Sequence, residues 1–207
     1  MEVPPPPNEI GPALDAFERF LHDRTLPPLV QIALAHYQFE AIHPFLDGNG
    51  RVGRLLITLF LVERAVLPTP LLYLSAYFER SRQAYYDHLR AVSDRGAWEE
   101  WLGYFLAGVA QQAEDAVARA GRIQNLLGDW RLKAAGASIK IGYALVDLLA
   151  ENPYCSVRGV AEHLGVAYTT AQRAITKLEK MGVLSPVSEA KRDRVWRAEL
   201  LLGVLSD

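Results

Sequence analysis

The chain has 207 residues, 50% of them hydrophobic and 22% charged, with a formal net charge of −2. That length accommodates one medium domain and a small one. The composition excludes a disordered chain, and the charge excludes a global attraction to nucleic acid or anionic membrane, leaving only local patches. The single cysteine, Cys155, excludes an intrachain disulfide and a cysteine-rich zinc site, and fits a reducing cytoplasm, the location expected here. The N-terminus lacks the basic start and apolar run of a secretory signal. The longest mostly apolar stretch, Leu55–Val62, falls far short of the ~20 residues a membrane helix needs, so no membrane partner is expected.

In chain order, Pro4–Pro7 reads as extended polyproline II. Ile10, Leu14, Phe17 and Leu21 then recur at helical spacing. A second helix is predicted from Pro27-Pro28, which suit a first helical turn, through Ile32, Ala35 and Phe39 to Ile42. His43-Pro44 ends it, because the residue before proline is pushed out of the helical region. Phe45–Gly50 reads as a loop. Arg51–Val66 reads as a helix apolar nearly all round, hence central in the core. Pro68 and Pro70 break it. Ser75 is the expected cap of a helix running through Tyr85-Tyr86 to Val92, and Asp94–Ala97 is a turn. Trp98 to about Leu127 is a long helical stretch, and the small residues of Lys133–Ser138 are the expected linker. Beyond it lie helices at Ile141–Ala150, Val157–Leu164 and Thr169–Met181, then two short strands around Val183–Val187 and Arg194–Ala198.

The loop His43–Arg54 carries chemistry. Gly48-Asn49-Gly50 stands at a predicted helix N-terminus, where glycine permits positive φ and close backbone approach. Successive N–H groups there aim at one point, aided by the helix dipole, which makes an anion hole suited to phosphate. Arg51 and Arg54 are three apart on the following helix and share a face; two guanidiniums suit a polyphosphate. Asp47 is a hard oxygen ligand of the kind that holds Mg²⁺ while substrate phosphates complete the shell. His43, which ordinarily titrates near neutrality, is the candidate general base. Singly, each feature reads better as a turn, a helix end or a solvated charge. Together they describe phosphoryl-group chemistry with an attacking nucleophile.

His43, Phe45, Asp47, Gly48, Asn49, Gly50, Arg51 and Arg54 match the motif of the Fic family, His-x-Phe-x-(Asp/Glu)-Gly-Asn-Gly-Arg-x-x-Arg. At roughly one in twenty per position, the odds of a chance match are on the order of 10⁻⁸. Leu72-Tyr73-Leu74-Ser75, Tyr85-Tyr86-Asp87 and Trp98–Val109 also resemble that family. The resemblance implies an all-α Fic core and AMP transfer from Mg·ATP onto a Ser, Thr or Tyr hydroxyl of a target protein. His43 would deprotonate the acceptor, Asp47 would bind Mg²⁺, and Gly48, Asn49 and Gly50 would cradle the α- and β-phosphates. Arg51 and Arg54 would hold the outer phosphates, Phe45 would anchor the loop, and Tyr86 would lie near the adenine. The branch that transfers phosphate carries lysine where this chain has Gly50, so Gly50 favours AMP transfer. The family's β-hairpin flap, which pairs with the target backbone, and its inhibitory helix are both expected to be missing. On this reading the nucleotide pocket is intact, autoinhibition is lost and target positioning is impaired.

Leu164-Gly165-Val166, then Thr169-Thr170-Ala171 and a basic helix, resembles a winged helix-turn-helix. Residues 166–197 hold seven basic against three acidic residues, a net of +4, leaving −6 on the rest. In a DNA reader, Thr169, Thr170, Gln172 and Arg173 would face the major groove, with Lys177, Arg192 and Arg194 adding positive charge. A protein-interaction or dimerisation module with a solvated charged face remains open for this part, as does a homodimer.

The expected fold is therefore mainly α: a helical Fic core over 1–110, a helical tail and linker over 111–138, and a winged helix-turn-helix with a short β-hairpin wing over 139–207. The expected function is protein adenylylation with ATP and Mg²⁺, the acceptor being a target protein or the chain itself. Two alternatives stay open: a DNA-binding regulator whose Fic pocket senses nucleotide, and a Fic fragment that binds ATP but transfers poorly.

Overall fold

A computed structural model describes residues 4–70, 72–188 and 194–206. Among these residues the fold is mainly α, with ten helices and one small antiparallel sheet. The chain divides into two compact units, Met1–Ala116 and Val117–Asp207. None of the described helices is long and apolar enough to cross a membrane.

The first unit is helical. Helix α1 (Pro7–His22) and α2 (Pro28–Ile42) both place proline in their first turn, where the missing N–H costs nothing. Helix α3 (Asn49–Glu63) crosses α2 closely at Gly53, whose Cβ, if present, would lie 2.6 Å from Glu40 Oε1 and 3.2 Å from the His36 ring. Helices α4 (Leu74–Arg80) and α5 (Arg82–Arg95) follow, and α6 (Trp98–Gly136) starts in this unit. The core gathers Phe17, Ile32, Phe39, Ile57, Phe78, Tyr85, Trp101 and Phe105. Trp101 donates its indole N–H to Ala33 O at 2.9 Å, fixing α6 on α2.

The second unit takes its core from Trp130, Leu145, Leu149, Ile175, Leu178, Trp196 and Leu201. Its elements are the end of α6, α7 (Gly142–Glu151), β1 (Tyr154–Ser156), α8 (Val157–Leu164), α9 (Tyr168–Lys180), β2 (Ser185–Pro186), β3 (Val195–Arg197) and α10 (Glu199–Ser206). The strand order is β1-β3-β2, with Trp196 opposite Cys155 on one side and Pro186 on the other. Cys155 is buried there, and burial pushes its thiol up to about 12, so it behaves as a small core hydrophobe.

Four expectations change. Ser75 lies inside α4 and caps nothing; the break before α5 falls at Ser81, whose hydroxyl donates to Tyr77 O and bonds Tyr104 Oη, both at 2.7 Å. The small-residue stretch is not all linker: α6 continues to Gly136 with Ala134 fully buried, because alanine is both the best helix former and small enough to pack. Helix α3 is not enclosed, since it buries Gly53, Ile57, Phe60 and Leu61 but exposes Val52, Leu55 and Leu59. The hairpin wing gains a third strand, β1, whose three residues are too few for a periodic signal.

Candidate active site

The loop hangs between the C-terminus of α2 and the N-terminus of α3. His43 ends α2 in the left-handed region, at φ 48°, with its backbone N–H still bonded to Phe39 O. A non-glycine residue there costs about 1–2 kcal/mol and turns the chain sharply, which lifts the imidazole out of the helix path. Its Nδ1 lies 3.3 Å from Glu40 O, one turn back.

Asn49 closes the loop. Its side chain is buried and bonds the Phe45 backbone twice, Nδ2 donating to the carbonyl at 2.6 Å and Oδ1 accepting the N–H at 2.9 Å. The Asn49 oxygen and one of its amide N–H groups therefore hold the loop, while its backbone N–H stands at the open start of α3. Sequence reasoning gave Asn49 to the phosphates and missed this clasp; the four-residue spacing to Phe45 is the signal that would have shown it. Phe45 packs near Phe39, with ring centroids 6.3 Å apart, yet stays half-exposed.

Gly48 begins α3 at φ 84°, a conformation glycine adopts without strain. The first intrahelical bond of α3 runs from Val52 N–H to Gly48 O. The N–H groups of Asn49, Gly50 and Arg51 therefore have no intrahelical acceptor, and α3 has no side-chain cap. Such an end binds anions. Asp47 accepts Gly48 N–H at 2.7 Å and Arg51 Nη2 at 3.2 Å; both side chains of that pair are largely exposed, so solvent screens it heavily. Arg54 is half-buried, its Nη1 lying 3.1 Å from the place a Gly50 Cβ would take.

On the α2–α5 side, a cavity of about 490 Å³ opens next to His43, lined by Tyr37, Glu40, His43, Tyr86 and Ser93 among others. Tyr86 is partly exposed and packs edge-on against the buried Tyr85. Tyr85 in turn ties α5 to the motif helix. His36 is fully buried, its Nδ1 3.2 Å from Gly53 O and its Nε2 2.9 Å from Tyr85 Oη. A carbonyl only accepts, so Nδ1 donates and Nε2 receives the Tyr85 proton. Burial pushes the imidazole down to about 4, keeping that tautomer neutral, and pushes the Tyr85 phenol up. Neither residue was marked from the sequence, where a lone His on an apolar helix carries no distinguishing sign.

Residues 1–61 match the family model of the Fic/DOC family, and residues 140–185 match that of the winged helix-turn-helix DNA-binding family. The chain carries a Fic domain followed by a winged helix-turn-helix. Over 95 residues it is 39% identical to the protein adenylyltransferase Fic of Drosophila yakuba and 38% identical to that of Drosophila melanogaster. Each alignment covers 44% of this chain, and the chain spans only 18% of the length of these relatives. In fold it is similar to the crystal structure of a Fic family protein from Desulfovibrio desulfuricans G20, with a TM-score of 0.54 and 20% identity over 94% of this chain and 56% of that one.

In the winged helix-turn-helix, α9 exposes Thr169, Gln172, Arg173 and Lys177 and half-buries Thr170. Its start at Ala167 has no side-chain cap. Lys177 Nζ donates to Ala137 O at 2.8 Å. Arg194 lies over the Trp196 ring at 4.9 Å and 3.8 Å from Glu179. Arg192 falls outside the described residues.

Proposed function

We propose that the Fic domain, over residues 1–110, is a protein adenylyltransferase. The observation that carries this reading is the uncapped N-terminus of α3, beginning at a left-handed Gly48, beside a histidine that lines a nucleoside-sized cavity. His43 takes the proton of an acceptor Ser, Thr or Tyr, on a target protein or on the chain itself. The freed oxygen attacks the α-phosphorus of ATP. The bond from that phosphorus to the bridging oxygen breaks, pyrophosphate leaves, and AMP remains esterified to the protein. The N–H groups of Asn49, Gly50 and Arg51 stabilise the charge on the α- and β-phosphates, while Arg51 and Arg54 hold the outer ones. Tyr86 offers its ring to the base.

Among the described residues no three His, Cys, Asp or Glu side chains come together as a metal cage. The exposed Asp47 carboxylate is a single hard ligand at the phosphate-binding end, and that donor set fits Mg²⁺, which keeps waters and takes its remaining ligands from phosphate. Bound there, Mg²⁺ would offset phosphate charge. The names of the Drosophila relatives support the reading at the level of the reaction class. The test is incubation with α-labelled ATP and Mg²⁺: label is expected on protein, and is expected to vanish in His43→Ala. Full transfer by that variant would remove His43 as the base.

A second activity follows from the exposed α9 face. We infer that residues 139–207 bind duplex DNA, with Thr169, Thr170, Gln172 and Arg173 toward the major groove and Lys177, Arg192 and Arg194 supplying charge. Binding without a salt slope would argue against it.

A further inference from the structure

Glu40 has no part in the reaction just described, yet it stands at its centre. It sits one turn before His43 on α2, and its backbone carbonyl faces the His43 ring. Its side chain runs the other way, under α3. The room for it exists only because residue 53 is glycine: a Cβ there would meet Glu40 Oε1 at 2.6 Å. That oxygen is buried without a hydrogen-bond partner. A buried, unpaired carboxylate oxygen is costly, and such an atom in a folded protein calls for a reason.

The reason lies across Gly50. The point where a Gly50 Cβ would sit is 3.9 Å from Glu40 Oε1 and 3.1 Å from Arg54 Nη1. Both side chains border the space that a Gly50 Cβ would fill, unpaired in this structure but within a side chain's swing of each other. A guanidinium has five N–H donors in a planar fork, enough to serve a carboxylate on one edge and a phosphate on the other.

We propose that Glu40 is a positioning residue for Arg54: its buried carboxylate takes one edge of the guanidinium and so turns the other edge toward the outer phosphates of the bound nucleotide. This rests on the nucleotide reading above. Glu40 touches no phosphate itself and acts through Arg54 alone. Its effect therefore grows with the number of phosphates. AMP, which ends before the reach of Arg54, is indifferent to Glu40, while ATP is sensitive to it.

The test is calorimetric titration of the full chain with Mg·ATP, Mg·ADP and AMP. Glu40→Gln, which keeps the shape and removes the charge, is expected to weaken ATP about tenfold and AMP less than twofold. In an Arg54→Ala background the same change is expected to do nothing further, since residues that act as a unit are not additive. Equal losses for ATP and AMP, or additive losses in the double variant, would overturn the proposal and leave Glu40 a structural residue. Should Glu40→Gln fail to fold, Arg54→Lys reads the same point. A single ammonium cannot face carboxylate and phosphate at once, so weakened ATP with unchanged AMP is expected, and full ATP affinity would overturn the bridge. A wild-type chain that bound none of the three ligands would overturn the nucleotide reading itself.

Discussion

The two surfaces to which function is assigned are built from different material. At the His43–Arg54 loop the working groups are largely backbone: free N–H groups at the start of α3, a left-handed Gly48, a left-handed His43 and an Asn49 side chain that bonds only backbone. On α9 and just before β3 the working groups are side chains on ordinary backbone, and some already have partners, Lys177 on Ala137 O and Arg194 on Trp196 and Glu179. A backbone-built site tolerates few residue types at each place, because each type is there for its φ angle or its lack of a Cβ. A side-chain-built face tolerates many, because any long cation can reach a phosphate.

The sharpest way to break the comparison is His43→Ala. Transfer of α-label is expected to fall about 10²–10⁴-fold while ATP binding persists. Next comes the frame behind the loop. The folded-state pKa of His36, about 4, lies below its ordinary 6.5. The neutral ring thus contributes stability that is fully present above about 6.5 and lost as pH falls toward 4, on the order of 3 kcal/mol. Glu40, pushed up by its own burial, works in the opposite sense, so His36→Gln is the control. Circular-dichroism melts at pH 7 and pH 4.5 are expected to show a larger drop for the wild type than for that variant. Gly53→Ala places a Cβ against Glu40, Phe39 and His36, and is expected to cost about 1–3 kcal/mol in urea unfolding. On the other surface, Arg173→Ala is expected to lower the salt slope of DNA binding by about 1 in fluorescence anisotropy and to leave label transfer untouched. The smallest effect is expected for Arg194→Ala, whose guanidinium is engaged within its own unit; about 0.5–1 kcal/mol of thermal stability is at stake, read as a small drop in Tm. Equal effects of the two arginine changes on DNA binding would blur the contrast between a cation engaged in its own unit and an exposed one on α9.

The loop could be read in the chain because glycine, proline and histidine at that fixed spacing suit few backbone geometries besides a tight turn into an open helix end. Most helices could be read because Ile32, Ala35 and Phe39, or Ile10, Leu14 and Phe17, keep the helical period. What escaped reading had weak local signals. Three residues at Tyr154–Ser156 pair into a strand only because β3 lies beside them. Ala134 and its neighbours read as linker until a packed helix buried them. The apolar run of α3 suggested full enclosure, but a helix buries only what another element covers, and Leu55 and Leu59 stay exposed.

By itself the sequence determined most of the helices, the turn at His43-Pro44, the glycine-flanked helix start at Gly48–Gly50 and the basic character of residues 166–197. Those are local properties, set by φ preferences, periodicity and charge. Only the tertiary structure decided that Asn49 clasps Phe45, that His36 bolts Gly53 to Tyr85, and that Glu40 and Arg54 both border Gly50. Each of these joins residues whose side chains have many acceptable partners. Which partner each one takes depends on how closely α2 approaches α3, and that approach is set by the absence of a Cβ at Gly53.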